Sequence, residues 1–271
     1  MIVDGKVLAH RYLGELTNTI SHLGVRPHVT VLTCQPAFAT QKYLALKKRR
    51  AEEVGIGINI IELPADIQTA DVVDVIKRAT MQTDGVLVQL PLPAHLDRDA
   101  VIAAIPPGCD VDGMHYSGQK TELLPPVVAA IQAIAVEEGV IFSGKQVVIV
   151  GNGLLVGKPA ALWAKAQGAH VQVVTEDTQD RDELLIAADI IISGVGKPEL
   201  INETHVKPGA IVFDAGTAEA NGELKGDVHK NVAARAALLT PVPGGIGPLT
   251  VVMLLRNVLA SCEQSAMMGH T

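Results

Sequence analysis

The stretch over residues 145–159, KQVVIVGNGLLVGKP, constrains the fold more than any other part of the sequence. Its four consecutive apolar residues at 147–150 are typical of a central strand in a parallel sheet. Gly151 and Gly153 follow, where a turn without Cβ atoms can bring backbone N–H groups close to a pyrophosphate at the start of the next helix. Gly157 would let that helix pack closely on the strand. The pattern predicts a dinucleotide site in a Rossmann-type domain.

The residues after the glycine stretch support this interpretation. A helical pattern at 154–167 ends at Gly168, and an apolar strand is predicted at 170–175. Glu176 and Asp177 follow that strand, where a carboxylate can accept a hydrogen bond from the adenosine ribose 2′-OH and would repel the 2′-phosphate of NADP. The spacing GxGxxxG is one residue longer than the common fingerprint, so an ordinary strand-to-helix turn stays open as an alternative. The acidic pair favours NAD.

Composition limits the classes of protein that the chain can represent. Its 271 residues are enough for two domains, and 48% hydrophobic residues allow each a core. A net charge of −7 without a long basic run argues against a nucleic-acid surface. Three scattered cysteines favour a reducing compartment and imply neither a disulfide framework nor a metal site. No signal-peptide pattern and no apolar stretch of membrane-spanning length are evident. We therefore expect a cytoplasmic protein without a membrane partner.

Helical and strand patterns alternate along the chain, which is typical of α/β proteins with parallel sheets. The predicted helices lie at 8–23, 38–54, 70–80, 126–138, 154–167, 181–187 and 249–262, and the predicted strands at 28–33, 57–63, 85–90, 147–150, 170–175, 189–193, 210–214 and 238–242. A segment rich in Gly, Pro and Asp at 105–121 predicts a functional loop that runs into a linker. We therefore predict one α/β domain from 1–118 and 248–271 and a Rossmann-type domain from 119–247.

Tyr43 and Lys47 are one helical turn apart and share a face. The YxxxK pair of short-chain dehydrogenases follows the glycine loop, whereas this pair precedes it, so that interpretation is rejected. Other segments match together: YLALK at 43–47, VQLPLP at 88–93, DVDG at 110–113 and PGGIGPLT at 243–250. In this order, with GxGxxxGKP before the last, they resemble the bifunctional methylenetetrahydrofolate dehydrogenase/methenyltetrahydrofolate cyclohydrolase family over nearly the whole chain.

The resemblance implies a role for each matching residue. Lys47 would be the principal catalytic residue beside Gln89, Tyr43 would pack on the aminobenzoyl ring of the folate, and Asp112 would hold the pterin. A carboxylate can accept two hydrogen bonds from the guanidine-like edge of a pterin, and a lysine in a partly apolar cleft can transfer protons near neutrality. The further expected contacts are Pro243, Gly244 and Gly245 for the substrate and Gly151, Asn152, Gly153, Gly157, Lys158, Glu176, Asp177 and Gly194 for the cofactor, with Ser193 beside Gly194.

The family's activities and architecture follow as expectations. NAD or NADP would oxidise 5,10-methylenetetrahydrofolate to the methenyl form, which hydrolysis converts to 10-formyltetrahydrofolate for one-carbon metabolism and purine biosynthesis. Both steps would share one cleft without a metal. The resemblance also implies a homodimer formed through the sheet edge of the second domain, and a C-terminal helix that packs back on the first domain. Thr250 could cap that helix.

The chain departs from the family pattern at three places. It has Cys109 where a lysine is usual, PPVV at 125–128 in place of a PCTP-like segment, and Asn152 followed by Gly153 in place of Arg-Ser. Lys158 is then the only nearby cation that the sequence suggests for a 2′-phosphate. A cyclohydrolase that has lost the dehydrogenase step and a non-catalytic folate- or nucleotide-binding homologue stay open.

Alternatives outside the family are weaker. Taken singly, Tyr43 could be ordinary helix packing, Gln89 a strand residue, and Asp110 or Asp112 a turn former. A shikimate- or amino-acid-type dehydrogenase with a similar two-domain layout would leave VQLPLP and PGGIGPLT unexplained.

Overall fold

A computed structural model describes residues 1–220 and 223–268. The chain divides into two compact units: the first unit is Arg11–His115 with the segment from Leu254 onward, and the second unit is Met1–His10 with Tyr116–Met253. The initial residues belong with the second unit because the Val3 N–H donates to the Leu239 carbonyl at 3.0 Å. The domain limits 1–118, 119–247 and 248–271 stay a prediction.

Helices and strands alternate through most of the chain, as predicted. In chain order they are α1 (Gly5–Leu23), β1 (His28–Cys34), α2 (Phe38–Val54), β2 (Gly57–Leu63), α3 (Thr69–Thr80), β3 (Gly85–Val88), α4 (Arg98–Ala103), α5 (Pro126–Glu137), β4 (Gln146–Val150), α6 (Gly157–Ala166), β5 (His170–Val174), α7 (Arg181–Ala187), β6 (Ile190–Ser193), β7 (Ile211–Asp214), β8 (Ala218–Ala220), β9 (Glu223–Lys225), β10 (Leu238–Thr240) and α8 (Ile246–Met268).

The first unit is built on a parallel sheet in the order β2-β1-β3. The β1 strand lies in the middle, and its last six residues, including Thr30 and Thr33, are buried, as expected of a strand covered on both faces. Leu32 packs in a core with Val72 and Ile76 of α3 and Val86 of β3. The predicted parallel sheet of the N-terminal part is confirmed.

The second unit contains a parallel sheet in the order β10-β7-β6-β4-β5. The strand order reverses next to β4, which carries the glycine turn at its carboxyl end, and this is where α/β sheets of the Rossmann type bind ligands. Val148, Ile191 and Val212 of the three middle strands are buried in one core. The predicted Rossmann-type domain is confirmed.

The C-terminal helix α8 packs on the first unit. Asn257 Nδ2 donates to the Val111 carbonyl at 2.9 Å, and Ser261 Oγ lies 2.5 Å from the carbonyl oxygens of both Asp84 and Gly108. These contacts confirm that the last helix returns to the first unit.

The apolar character of α8 corrects one expectation from the sequence. Among the described residues, one helix, Ile246–Met267, is long and apolar enough to cross a membrane by length and composition. The prediction that the chain has no apolar stretch of membrane-spanning length was therefore wrong. However, 61% of its most apolar window is buried inside the protein, as in the core helix of a soluble fold.

Several boundaries also differ from the predicted ones. The α8 helix begins at Ile246, so Thr250 lies inside it and donates to the Ile246 carbonyl at 3.2 Å instead of capping the helix. The α6 helix begins at Gly157 and not at residue 154, because residues 154–156 form a turn. The short helix α4 and the antiparallel pair β8–β9 were not predicted.

Candidate active site

A buried lysine marks the candidate catalytic site of the first unit. Tyr43 and Lys47 lie one turn apart on α2, and Lys47 is only 5% exposed, which is rare for a lysine. Lys47 Nζ donates to Gln89 Oε1 at 3.0 Å and lies 4.7 Å from the centroid of the Tyr43 ring. The side chain thus has one polar acceptor and one aromatic face as its immediate partners.

The backbone and its own amide hold Gln89 in place directly after β3. Its N–H donates to the Leu32 carbonyl at 2.8 Å, and its Nε2 donates to the Leu90 carbonyl at 2.9 Å. The donor Nε2 is directed to the Leu90 carbonyl, so the acceptor Oε1 of the same amide is directed to Lys47. The amide therefore fixes the position of the Lys47 ammonium.

Asp112 completes the cluster electrostatically. Burial lowers the pKa of Lys47, and the carboxyl group of Asp112 opposes that shift. Burial raises the pKa of Asp112, where Lys47 acts in the lowering direction and Asp110 in the raising direction. Burial also raises the pKa of the Tyr43 hydroxyl, and Asp112 adds to the shift. The first unit thus brings Tyr43, Lys47, Gln89 and Asp112 together in one environment that can hold or move a proton.

Asp110 and His115 shape the loop that carries Asp112. Asp110 is buried and its Oδ2 accepts from the His115 N–H at 2.8 Å, while His115 Nε2 lies 2.9 Å from the Ile105 carbonyl oxygen. These bonds close the DVDG segment into a turn. They agree with a structural role for His115 and for the first aspartate of the segment.

The glycine turn of the second unit has the shape that a dinucleotide requires. Gly151 has a φ of +94°, which favours glycine, and a Cβ on Gly157 would overlap the Gly151 carbonyl. Asn152, Gly153 and Lys158 are exposed around the turn. The close approach of α6 to the end of β4 leaves the helix N-terminus and this exposed turn available to a pyrophosphate, so the residues present fit the group.

An ion pair lies at the end of β5, where a ribose would be recognised. Glu176 accepts a hydrogen bond from Lys197 Nζ, and this bond holds the pKa of the Glu176 carboxyl below its ordinary value. Asp177, next in the chain, is exposed. The expectation that Lys158 is the only nearby cation is therefore wrong, because Lys197 comes from a loop that is distant in sequence.

The predicted substrate loop at 243–245 also lies in the second unit. The Gly245 N–H donates to the Pro241 carbonyl at 2.7 Å, and Gly244 has a φ of +108° while its carbonyl accepts from the Gly5 N–H at 2.9 Å. Pro243 is exposed. The two glycines thus permit a tight turn that packs against the start of α1.

A pair of buried carboxylates in the second unit was missed by the sequence analysis. Asp214 ends β7, and Asp227 is fully buried. The pKa of Asp214 is raised to about 7, mainly by burial and also by the nearby carboxyl group of Asp227, while the backbone N–H donor of Val228 acts in the lowering direction. An acidic residue between Gly226 and Val228 was the only sequence signal.

The fold and the two sites define a class: α/β proteins that combine a Rossmann-type dinucleotide domain with a separate buried lysine site. Family models agree with each part. The tetrahydrofolate dehydrogenase/cyclohydrolase catalytic-domain model matches residues 3–112, and the NAD(P)-binding-domain model of the same family matches residues 125–266. The chain belongs to the tetrahydrofolate dehydrogenase/cyclohydrolase family.

Individual relatives match over almost the full length. The bifunctional protein FolD of Exiguobacterium sibiricum is 36% identical, with 97% of this chain and 99% of the relative covered. The crystal structure of the bifunctional FolD methylenetetrahydrofolate dehydrogenase/cyclohydrolase of Campylobacter jejuni has a TM-score of 0.93 and 30% identity, covering 98% of this chain and 99% of that one. The Trypanosoma brucei FolD structure, complexed with NADP and an inhibitor, has a TM-score of 0.92 and 32% identity, covering 98% of each chain.

Proposed function

We propose that this chain oxidises 5,10-methylenetetrahydrofolate to 5,10-methenyltetrahydrofolate and hydrolyses the methenyl form to 10-formyltetrahydrofolate. The observation that carries the proposal is the Lys47–Gln89 hydrogen bond of 3.0 Å in a buried environment that includes Asp112 and Tyr43. Family membership supports it, since relatives named as bifunctional match 97% and 98% of this chain.

Each residue of the cluster has a chemical task in this proposal. Asp112 accepts hydrogen bonds from the pterin, and Tyr43 packs on the aminobenzoyl ring. Lys47, oriented by Gln89, moves the proton in the hydrolytic step. In that step water adds to the methenyl carbon, the bond from that carbon to N5 breaks, and one proton is released.

The second unit supplies the binding site for the oxidant. Nicotinamide provides hydride-acceptor chemistry when the dinucleotide is bound. Gly151, Asn152, Gly153, Gly157 and Lys158 would hold the pyrophosphate, and Pro243, Gly244, Gly245 and Gly194 would approach the substrate and the nicotinamide closely.

We propose that NAD is preferred over NADP. Glu176 and Asp177 stand at the end of β5, where their carboxylates favour a ribose 2′-OH and repel a 2′-phosphate. The hydrogen bond from Lys197 lowers the pKa of Glu176 and so favours its ionised form. It also pairs the ammonium group of Lys197 with Glu176, so this ammonium is not free to bind a 2′-phosphate.

A cofactor titration tests both the function and the preference. With 5,10-methylenetetrahydrofolate present, reduced cofactor should appear, and the KM for NAD should be at least about tenfold below that for NADP because like charges in contact are costly. Glu176→Ser should lower the KM for NADP, since it removes the repulsion and frees Lys197. Glu183→Ser, exposed on α7, is the matched control. A lower KM for NADP than for NAD in the natural protein contradicts the preference, and no reduction of either contradicts the dehydrogenase.

We also infer a cytoplasmic homodimer without membrane or nucleic-acid partners, which supplies one-carbon units for purine biosynthesis. The edge strand β5 supports the dimer, because it ends the sheet and exposes His170, Gln172 and Val173. Sedimentation analysis should give twice the mass of one chain, and Val173→Lys on this edge should give the single-chain mass. A natural protein that sediments as a monomer at micromolar concentration rejects the dimer.

A further inference from the structure

Asp227 gathers three hydrogen-bond donors from one short segment of the second unit. It is fully buried, and its Oδ2 accepts from Ser193 Oγ at 2.6 Å and from the Val195 N–H at 2.7 Å. Its Oδ1 accepts from the Lys197 N–H at 2.9 Å. The two oxygens of a carboxyl group can together accept more than two hydrogen bonds, so the Asp227 side chain can satisfy all three donors at once.

The segment that Asp227 holds, residues 194–197, lies at the carboxyl end of β6 beside the glycine turn. A Cβ on Gly151 would come within 3.0 Å of Val195 Cγ2, and a Cβ on Gly194 would overlap the side chain of Val156. The 194–197 segment therefore packs directly on the turn that precedes α6. It also ends in Lys197, whose side chain reaches Glu176.

Asp227 is itself fixed by a neighbouring carboxylate. Its N–H donates to Asp214 Oδ1 at 3.2 Å, and the following N–H, of Val228, donates to Asp214 Oδ2 at 2.9 Å. A Cβ on Gly216 would overlap the Asp227 carboxyl, which leaves that group little room to move. Asp227 thus links the 194–197 segment to Asp214 at the end of β7.

We infer that Asp227 is a positioning residue for the dinucleotide: it holds the 194–197 segment against the glycine turn and so sets one wall of the cofactor site. The inference rests on the proposed function, because the wall matters only if a dinucleotide binds there. In this inference Asp227 contacts neither the folate nor the nicotinamide, and it acts through its hydrogen bonds to Ser193, Val195 and Lys197.

Asp227→Asn tests this role, because one amide oxygen cannot replace two carboxylate oxygens and the new NH2 group would face an N–H donor. Hydrogen exchange at the amides of Val195 and Lys197, measured without cofactor, should become at least about tenfold faster. Calorimetry with NAD should show a Kd raised at least about tenfold. Hydrolysis of methenyltetrahydrofolate, whose lysine cluster lies in the first unit, should stay within about a factor of two.

The matched control is Asp189→Asn at the amino end of β6. Asp189 also accepts bonds in the second unit, from the Gln146 N–H at 2.8 Å and from Lys207 Nζ at 2.6 Å. This variant should lose stability without a change in the Kd for NAD. Ser193→Ala, which removes one of the three donors, should give a smaller rise in Kd and serves if Asp227→Asn does not fold.

The outcomes separate the inference from the function beneath it. Unchanged exchange and an unchanged Kd in Asp227→Asn overturn the positioning role, as does an equal rise in Kd in Asp189→Asn. Failure of the natural protein to bind NAD or NADP overturns the proposed dehydrogenase and, with it, this inference.

Discussion

Lys47→Met is expected to reduce the hydrolysis of methenyltetrahydrofolate by about a hundredfold to ten-thousandfold, the usual contribution of a proton-transferring side chain. Methionine keeps an unbranched apolar stem, one atom shorter than lysine, but cannot donate to Gln89 Oε1, which Lys47 Nζ reaches at 3.0 Å. Loss of the methenyl absorbance in purified protein measures the rate directly.

The loss in Lys47→Met should not come from unfolding. Lys47 is 5% exposed, and an apolar side chain of similar volume at a buried charged position is often neutral or stabilising. Thermal denaturation should therefore show an equal or higher Tm. Lys48→Met, an exposed position next in the same helix, is the matched control and should keep the full rate. A Lys47→Met protein with more than a tenth of the natural rate would remove Lys47 from the mechanism.

Gly157→Ala is expected to lower dehydrogenase activity by about a hundredfold, which corresponds to the upper part of the usual cost of overpacking. The added Cβ would overlap the Gly151 carbonyl, so α6 must move away from β4 and the turn that holds the pyrophosphate must change shape. Reduction of NAD with 5,10-methylenetetrahydrofolate measures the effect. The cyclohydrolase cluster is built from residues of the first unit and should keep its rate within about a factor of two.

Gly14→Ala is the control for a methyl group added to a helical glycine. No heavy atom lies within 4 Å of its added Cβ, and alanine is favoured over glycine inside a helix. This variant should keep both activities. A Gly157→Ala protein that reduces NAD at the natural rate would show that the glycine is not needed for close packing of α6.

Local signals explain which elements the sequence could predict. The bounds of α2 and β2 match the prediction, since Gly55 ends the helix in a left-handed conformation with a φ of +85° and the apolar pattern restarts at once. The α4 helix has only six residues, too few for apolar residues to show a repeating helical pattern, and the Asp97 side chain caps its N-terminus. The start of α6 was wrong because apolar residues at 154–156 continue the helical pattern into the turn.

The same distinction applies to the sites. The positions of Tyr43 and Lys47 on one face follow from helix geometry, and their proximity to Gln89 follows from the family pattern. Asp227 and Lys197 could not be predicted, because their partners Ser193 and Glu176 are distant in sequence. Such pairs depend on which strands become neighbours, a property of the complete sheet.

The division of the chain has a consequence for its synthesis. The first unit needs α8 to complete its contacts. Asn257 of this helix donates to the carbonyl of Val111, which lies 146 positions earlier in the chain. Ser261 donates to the carbonyl of Asp84, which lies 177 positions earlier. A ribosome makes those partners long before α8 emerges, whereas the second unit has all its residues once Met253 is made. The first unit, most of which is made before residue 116, is therefore completed last, and the core that supports its lysine cluster closes only when α8 has been made.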